Sequence, residues 1–469
     1  MATAIQPHVR PRVFAIAAVA ALGGFLFGFD TAVINGAVNA VRADFGLDTT
    51  LIGFAVSCAL LGSALGAWYA GPIADRWGRL RTMQIAAVAL AVSALGSGLV
   101  VGVWDLILWR LIGGIGVGMA SVIAPAYIAE ISPAHVRGRL GSLQQLAIVL
   151  GIFAALASDA LLAGWAGGAA APLWFGLSAW RWMFIVAFVP AVIYGLLVLG
   201  VPESPRYLVA KGDKGAAATV LRQVLSLDDD EALQHKVGEI DASLRSEYRP
   251  RLRDLRRAGG GLLPVVWIGI LLSVFQQFVG INVIFYYSST LWHSVGFSEA
   301  DSFKITVATS IVNVLVTLVA IALVDRIGRK PLLAIGSAGM TVTLALMAWC
   351  FAQAGAGAGG ELQLPEPWGA TALVAANLYV VFFGMSWGPV VWVLLGEMFP
   401  NRIRAIALAV AASAQWLANF AITSTFPGLA EFGLSFAYGL YAAFALLSLL
   451  FVVYAVRETK GLELEQMRD

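Results

Sequence analysis

Twelve apolar stretches, each about as long as a bilayer-spanning helix, decide what this chain of 469 residues can fold into. A helix that crosses a bilayer needs roughly 20 predominantly apolar residues. Hydrophobic residues make up 59% of the chain and charged residues only 12%, which excludes a disordered chain and an ordinary soluble domain. Backbone groups in lipid must be satisfied within each segment, so the sequence predicts an all-α membrane protein with 12 transmembrane helices. The stretches are 13–41, 50–73, 82–101, 104–129, 140–163, 182–201, 262–291, 303–324, 332–354, 368–395, 403–426 and 434–456.

The basic residues predict the orientation of these helices, because Lys and Arg are concentrated in cytoplasmic loops. If the N-terminus is cytoplasmic, then Arg42, Arg181 and Lys304 lie outside and Arg110 lies within the membrane. The other 26 of the 30 basic residues then lie on the cytoplasmic side. We therefore expect a multi-pass protein of the cell membrane with both termini in the cytoplasm. The first apolar stretch is too long for a cleaved signal peptide and is expected to remain as the first span.

Three pairs of motifs recur at the same topological places and indicate an internal duplication. Asp-Arg-Trp-Gly-Arg at 75–79 matches Asp-Arg-Ile-Gly-Arg at 325–329. The pattern Glu-x-x-Pro-x-x-x-Arg starts at Glu130 and again at Glu397, and Glu-Ser after span six matches Glu-Thr after span twelve. The expected domains are a cytoplasmic N-terminus (1–12), an N-terminal six-helix half (13–201), a cytoplasmic helical linker (202–261), a C-terminal six-helix half (262–456) and a cytoplasmic C-terminus (457–469). Two such halves are typical of a rocking transporter that binds its substrate between them.

Several other classes of function find no support in the residues. The net charge of +2 is too small to indicate nucleic acid as a partner. Cys58 and Cys350 lie inside apolar stretches, and no His/Cys cluster has the spacing of a metal site. No nucleophile–base pair or phosphate loop is recognisable, so we expect neither an enzyme nor a cofactor. Glycines spaced by four instead predict closely packed helices, at 24 and 28, 62 and 66, and 114 and 118.

Taken together, the motifs make this sequence similar to the sugar porter family of the major facilitator superfamily over nearly its whole length. Among members of that family it most resembles actinobacterial glucose permeases, followed by bacterial xylose–proton symporters. Arg457 departs from the family, which usually has Pro there, but it lies past the last span. The resemblance implies the fold of that superfamily and proton-coupled uptake of a monosaccharide by alternating access. The matching segments are 28–30, 75–79, Arg110, 125–139, 202–206, 276–282, 325–330, 387–392, 397–404 and 458–461.

Asp30 is the residue of the first span that most needs an explanation. A charged carboxylate in mid-membrane costs roughly 2.5–3.5 kcal/mol on insertion scales, so it requires a partner, water or a proton. Arg110 is the only basic residue placed well inside a span. We interpret Asp30 as the carrier of the transported proton, paired with Arg110 when ionised and released when protonated. The competing interpretation is a permanent structural ion pair; the resemblance favours the proton role, since proton-coupled sugar porters carry Asp here.

Neutral amides and aromatic rings within the spans are the expected sugar ligands. Asn and Gln offer both donors and acceptors to paired hydroxyls, while aromatic faces cover the C–H faces of a pyranose. The competing interpretation for any one amide is a hydrogen bond between helices. Tyr286 is interpreted as closing the outer end of the sugar site, and the competing interpretation is an aromatic residue at the membrane interface. For Phe27 the competing interpretation is packing between helices. By resemblance the sugar contacts are Gln145, Gln276, Gln277, Asn282, Asn313, Trp392 and Gln415, with Phe27 and Tyr286 beside them.

Charged residues at the cytoplasmic ends of the spans predict a gate. Their signs allow ion pairs across the two halves that would hold the inner side shut while the outer side is open. Positive-inside topology alone could account for the arginines, but it does not require the two glutamates. The expected gate residues are Arg79, Glu130, Arg137, Arg329, Glu397 and Arg404.

The leading hypothesis is therefore proton-coupled import of D-glucose by a protein that works as a monomer in the lipid bilayer. Xylose or another aldose is the closest alternative, although the apolar Ile152 mildly favours glucose. A proton-independent facilitative carrier is a second alternative, against which Asp30 argues. A receptor-like sensor is disfavoured because only about a dozen residues follow the last span.

Overall fold

The computed structural model describes residues 11–132, 137–225, 230–246, 252–257, 260–356, 362–400 and 402–459. Twelve of its helical segments are long and apolar enough to cross a membrane, and they coincide with the twelve apolar stretches of the sequence. The all-α fold class is thereby confirmed. Two short strands, β1 (Gly355–Ala356) and β2 (Leu362–Gln363), pair antiparallel in the loop after the ninth span.

The first six spans are built from eight helices, because the first and sixth spans are each divided in two. Val33 separates the two helices of the first span, and Ala187 separates those of the sixth. The helices are α1 (Pro11–Ala32), α2 (Ile34–Asp44), α3 (Thr49–Trp77), α4 (Arg79–Gly98), α5 (Val103–Ile131), α6 (Arg137–Ala166), α7 (Ala179–Val186) and α8 (Phe188–Val198).

The last six spans are also built from eight helices, because the seventh and tenth spans are divided. Gly280 interrupts the seventh span in the left-handed region at φ 86°, and Met385 and Ser386 interrupt the tenth. The helices are α12 (Pro264–Phe278), α13 (Ile281–Ser294), α14 (Glu299–Ile327), α15 (Arg329–Ala352), α16 (Trp368–Gly384), α17 (Trp387–Met398), α18 (Arg404–Phe432) and α19 (Leu434–Ala455).

Short helices lie between the two sets of six spans: α9 (Pro205–Ala210), α10 (Lys214–Leu225), α11 (Asp230–Ser246) and a 3-10 turn (Leu252–Leu255). Val209, Leu221 and Leu233 are buried in a small apolar cluster that packs the three α-helices together. The end of the bundle beside these helices is called the linker side below, and the opposite end is called the far side.

Glycines allow neighbouring spans to approach at backbone distance, as the four-residue spacing predicts. A Cβ atom on Gly114 of α5 would lie 2.0 Å from the carbonyl oxygen of Ala59 on α3. A Cβ atom on Gly28 of α1 would lie 2.0 Å from the carbonyl oxygen of Ile148 on α6. Side chains at these positions would push the helices apart, so the glycines set the position of α1 and α5.

Replacing Gly114 with Ala should destabilise the protein, because the added methyl group collides with the α3 backbone. Overpacking of this kind costs about 1–3 kcal/mol. Gly71→Ala is a matched control on α3, since a Cβ atom there would meet nothing within 4 Å. Thermal unfolding in detergent should show a lower Tm for Gly114→Ala and no loss for Gly71→Ala. Equal Tm values for both variants would contradict this packing.

Candidate functional site

The interruption of the first span lies beside the buried pair Asp30 and Arg110. Nη1 of Arg110 donates to the Asp30 carboxylate oxygen Oδ2 at 3.2 Å and to the Asp30 backbone carbonyl at 3.0 Å. Asp30 is the third residue from the end of α1, where backbone carbonyls have no partner within the helix. Arg110 thus satisfies both the charge and the free carbonyl. Asp30 is 7% exposed and Arg110 2%, so the two side chains lie buried together.

Neighbouring residues fix the space around this ion pair. A Cβ atom on Gly113 would lie 2.3 Å from the Ser93 hydroxyl and 3.3 Å from Oδ1 of Asp30, so only glycine leaves room. The guanidinium carbon of Arg110 lies 5.8 Å from the centroid of the Phe184 ring, within the range of a cation–π contact. Among the described residues, Nε of Arg110 has no hydrogen-bond partner and Asp30 is its only ionic one. Neutralising Asp30 would therefore remove the charge that holds Arg110 in place.

A second buried acid, Asp159 on α6, lies on the other side of the same interruption. Its Oδ2 accepts a hydrogen bond at 3.2 Å from the backbone N–H of Gly36, the third residue of α2. The first N–H groups of a helix have no partner within it, so Asp159 caps α2. Our sequence reasoning missed Asp159, although a lone acid in an apolar stretch is the same signal that singled out Asp30.

The interruption of the seventh span carries a chain of amide side chains. Asn282 donates from Nδ2 to Oε1 of Gln277 at 2.5 Å, and Gln277 donates from Nε2 to Oε1 of Gln276 at 3.3 Å. Gln276 in turn donates from Nε2 to the carbonyl oxygen of Trp387 at 2.8 Å. Three of the predicted sugar ligands are thus brought together, and the chain joins the interruptions of the seventh and tenth spans.

The tenth span contributes one packing aromatic and one accessible aromatic. Trp387 is fully buried, and its ring N–H donates to the Ser337 hydroxyl at 2.9 Å. Trp392, on the next turn of α17, is 43% exposed. Asn313 of α14 is buried, and its Oδ1 would lie 3.5 Å from a Cβ atom on Gly384 at the end of α16.

Aromatic residues of the first span meet the other half of the molecule. The rings of Phe27 on α1 and Trp416 on α18 have centroids 5.6 Å apart. Tyr286 of α13 is buried, with its hydroxyl group facing the side chains of Thr31 and Asn419. Both predicted aromatics therefore lie where the two halves face each other. Trp416 and Asn419 were not among the predicted ligands.

Gln145 and Gln415 are the remaining predicted ligands. Gln145 of α6 and Gln415 of α18 are half-buried, and Oε1 of Gln415 is buried without a partner among the described residues. Neither amide forms a hydrogen bond with the seventh-span amides in the part of the chain that the structure describes. The structure thus assembles the C-terminal amides and leaves these two unengaged.

The two halves are joined by hydrogen bonds on the far side. Asn35 of α2 donates from Nδ2 to the Phe285 carbonyl at 2.8 Å, and it accepts from the Ser289 backbone N–H at 3.2 Å. The Ser289 hydroxyl donates to the Asn35 carbonyl at 2.7 Å, and the Thr290 hydroxyl donates to Oδ1 of Asn39 at 3.1 Å. The Arg42 and Thr49 side chains, which donate to Glu431, and the Ala169 N–H, which donates to Glu299, also join the two halves on this side. We call Asn35, Asn39, Phe285, Ser289 and Thr290 the far-side seam.

On the linker side, Arg79 and Glu130, two of the predicted gate residues of the first half, form one cluster with Glu203. Arg79 holds Glu130 in a bidentate pair, with Nε–Oε2 and Nη2–Oε1 distances of 2.9 and 2.8 Å. Glu203 accepts hydrogen bonds from the backbone N–H groups of Arg79 and Leu80 at 3.1 and 3.3 Å, which caps α4. The preceding glycine, Gly78, starts this helix at φ 97°, a conformation that favours glycine.

The second half contains the same cluster at the equivalent residues. Arg329 holds Glu397 through Nε–Oε2 and Nη2–Oε1 distances of 3.1 and 2.8 Å. Glu458 accepts from the backbone N–H groups of Arg329 and Lys330 at 3.1 and 3.0 Å. Glu397 also accepts from the Thr459 hydroxyl at 2.6 Å. Two independent copies of one cluster support the duplication inferred from the motifs.

These clusters show where the gate residues lie in this conformation. The ion pairs of Arg79 and Arg329 join residues of the same half, and ion pairs across the halves stay a prediction for the closed inner side. Each arginine starts the helix that follows a loop within its own half, within reach of the glutamate of the next span. Arg404 donates to the Phe399 carbonyl at 2.9 Å, again within one half. The side chain of Arg137 lies outside the described residues.

No group of three or more His, Cys, Asp or Glu residues is placed to hold a metal ion in the described part of the chain. Cys58 and Cys350 are free and buried. The chemistry available at the site is therefore that of one buried ion pair, one buried acid, neutral amides and aromatic rings.

Comparisons with known proteins agree with this geometry. Residues 16–469 match the family described as "Sugar (and other) transporter". The glucose transport protein of Synechocystis is 59% identical over 97% of this chain and 97% of that protein. The D-xylose-proton symporter of Escherichia coli is 37% identical over 97% of this chain and 95% of its own. The structure of the E. coli xylose transporter in an inward-open conformation superposes with a TM-score of 0.81, at 36% identity, over 97% of this chain and 99% of that one.

Asn35→Ala should loosen the far-side seam, because it removes the side-chain bonds to Phe285 and Ser289. Hydrogen bonds contribute about 0.5–1.5 kcal/mol each, so the ratio of closed to open far sides should fall about tenfold. Spin labels on cysteines introduced at the exposed Ala43 and Ala300 report the separation of the halves, since the native cysteines are buried.

Asn377→Ala is the matched control for this variant, because Nδ2 of Asn377 bonds to the Leu373 carbonyl within its own helix. The distance distribution of Asn377→Ala should equal that of the unmodified protein. The seam would be unimportant if Asn35→Ala also left the distribution unchanged.

Proposed function

The chain belongs to the sugar transporter family of the major facilitator superfamily, and from that premise we propose that it imports a monosaccharide together with protons, D-glucose above others. The observation that carries this proposal is the buried pair of Asp30 and Arg110 at the interruption of the first span, 3.2 Å apart. An intramembrane acid that faces a single base, with a neutral ligand pocket nearby, is suited to coupling a proton to an uncharged solute.

The substrate class is supported by the neutral polar groups between the halves. The amides of Gln276, Gln277 and Asn282 form a hydrogen-bonded chain that a sugar's hydroxyl groups can join as both donors and acceptors. We assign Gln145, Asn313 and Gln415 to the same pocket, with Phe27, Tyr286 and the exposed ring of Trp392 covering apolar faces of the sugar. Glucose is favoured because the relative with 59% identity is a glucose transport protein.

Coupling follows from the two states of Asp30. While Asp30 is ionised, it holds Arg110 and, through its backbone carbonyl, the end of α1. A proton on the carboxylate removes the attraction, frees the guanidinium and lets the two halves rock. Asp30 then releases its proton to the side of the membrane with the lower proton concentration, and the carboxylate pairs with Arg110 again.

We infer from the closed far-side seam that the structure represents the linker-side-open stage of alternating access. With the far side outside the cell, this is the inward-open stage, and both termini are cytoplasmic, as the distribution of Lys and Arg favours. We place the protein in the cell membrane as a monomer.

The linker-side clusters act as the inner gate in this proposal. In the inward-open stage Arg79 and Arg329 pair with Glu130 and Glu397 of their own halves. When the inner side closes, the two clusters approach and exchange partners across the halves, together with Arg137 and Arg404. The within-half pairs are then the resting positions of the gate.

Two alternatives use the same fold. Transport of xylose or another aldose is supported by the relative named a D-xylose-proton symporter. A proton-independent facilitative carrier would leave the buried pair of Asp30 and Arg110 as a structural contact only. The amide pocket suits both alternatives. Binding and release of a proton by Asp30 therefore distinguish our proposal from the facilitative carrier.

Asp30→Asn should abolish uphill glucose uptake, because it removes the proton-binding group, and should retain exchange of labelled for unlabelled glucose. Counterflow and uptake driven by a pH gradient in proteoliposomes measure the two activities, and unlabelled xylose and arabinose as competitors give the substrate preference. Asp213→Asn, in the loop before α10, is the control and should behave as the unmodified protein. Undiminished uphill uptake in Asp30→Asn would leave only the facilitative carrier.

Glu397→Gln should slow glucose entry several-fold while leaving glucose binding intact, since it weakens the gate cluster and not the pocket. Initial uptake rates and equilibrium binding of glucose separate the two effects. Glu239→Gln removes a carboxylate of the same size on the exposed face of α11 and serves as the control. Uptake at the normal rate in Glu397→Gln would remove the gate from the mechanism.

A further inference from the structure

We infer that Asp159 is a proton-binding site that closes the far side, taking a proton from the far-side solution as the halves close there and returning it when they open. The inference rests on the proposed function, since it concerns the same rocking motion. The role of Asp159 differs from that of Asp30, because the proton on Asp159 returns to the solution it came from and is therefore not transported.

The carboxyl group of Asp159 is fully buried where α6 contacts α2. The residue is 0% exposed, and its Oδ1 has no hydrogen-bond partner among the described residues. Its Oδ2 has one partner, the Gly36 N–H at 3.2 Å. A Cβ atom on Gly36 would lie 2.7 Å from Oδ2, so α2 and α6 are in direct contact at this point.

This environment favours the neutral acid over the carboxylate. An ionised carboxylate presents about four acceptor sites, of which only one is filled here. Burying an unpaired charge is far more costly than burying a neutral polar group. The N-terminus of α2 favours a negative charge, but a helix terminus offsets only a small part of that cost.

The described charged groups on the helices that pack against α6 do not supply a counter-ion. None forms an ion pair with Asp159 among the described residues. Arg110 pairs with Asp30, Arg42 with Glu431, and Lys304 with Asp301, while Arg181 donates to the Val100 carbonyl. The other charged groups of these helices are Arg12 on α1, Asp44 on α2, Asp105 and Glu130 on α5, and Glu299, Asp325 and Arg326 on α14; α6 itself carries Arg137 and Arg139.

The position of Asp159 links its proton to the far-side seam. The residue caps α2, and α2 carries Asn35 and Asn39, which bind α13 of the other half. When the seam opens, α2 separates from α13, and water reaches the groove between α2 and α6. A hydrated carboxyl group loses its proton, and the ionised form then keeps α2 in its open position.

Asp30 and Asp159 therefore hold the two ends of one interruption. The Asp30 carbonyl at the end of α1 accepts from Arg110, and the Gly36 N–H at the start of α2 donates to Asp159. Protonation of Asp30 frees α1, whereas protonation of Asp159 stabilises α2 against the closed seam. Lower pH on the far side should thus favour the closed far side.

The test measures the pH dependence of far-side closure with spin labels at positions 43 and 300, in a background that carries Asp30→Asn. Above about pH 5.5, exposed carboxyl groups with ordinary pKa values near 4 are ionised and do not contribute. We expect the ratio of closed to open molecules in Asp30→Asn to rise up to about tenfold per unit fall in pH, the limit for one proton. Adding Asp159→Asn, which keeps an acceptor for Gly36, should abolish this dependence.

Asp105→Asn in the same background is the matched control, because it removes an acid near the Val101 N–H and should leave the slope unchanged. Asp159→Ser provides a second neutral variant, and glucose counterflow verifies that each variant is folded. A flat profile in Asp30→Asn alone, or an undiminished slope after Asp159→Asn, would overturn the inference. Neither result depends on whether Asp30→Asn loses uphill uptake, so the proposed function is tested separately.

Discussion

The contact between Arg110 and Asp30 is the interaction on which the rest of the structure depends. Arg110 neutralises a charge inside the membrane and donates a hydrogen bond to a backbone carbonyl that has no partner at the end of α1. One arginine therefore joins the protonation state of a side chain to the geometry of a broken helix. Gly113 leaves the room for the pair beside Ser93, and the Phe184 ring lies 5.8 Å from the guanidinium carbon.

The two duplicated halves carry different residues at the interruptions of their first spans. The first half holds the ionisable groups, Asp30, Arg110 and Asp159, around the interruption of its first span. The second half holds the neutral amides around the interruption of the seventh span, the topological equivalent of the first. At the linker side both halves retain the same cluster of arginine, glutamate and helix cap. Duplication thus supplied two similar frames, and in our proposal the residues at the two interruptions separate proton binding from recognition of a neutral solute.

Much of the fold could be predicted from the sequence because membrane spans are set by hydropathy and length alone. The burial of Asp30 beside Arg110 was also predictable, since an acid and a base were each isolated in an apolar stretch of the same half. The partners that Arg79 and Arg329 have in this conformation could not be predicted, because charge signs do not specify which of two equivalent glutamates lies within reach. Asp159 and Asn35 were missed for a related reason: their roles depend on the break at Val33, and no proline or glycine marks a break at that residue. The closed far side depends on packing between halves, which no local pattern encodes.

The most direct test of the central claim, that a proton moves with each sugar through the Asp30 site, is a measurement of sugar-induced proton movement. Purified protein is reconstituted in lightly buffered liposomes without an imposed gradient, and glucose is added outside while the external pH is recorded. Our account predicts an alkalinisation of the medium that scales with glucose uptake and disappears when a protonophore is present. Uptake of glucose without any change in external pH would contradict it.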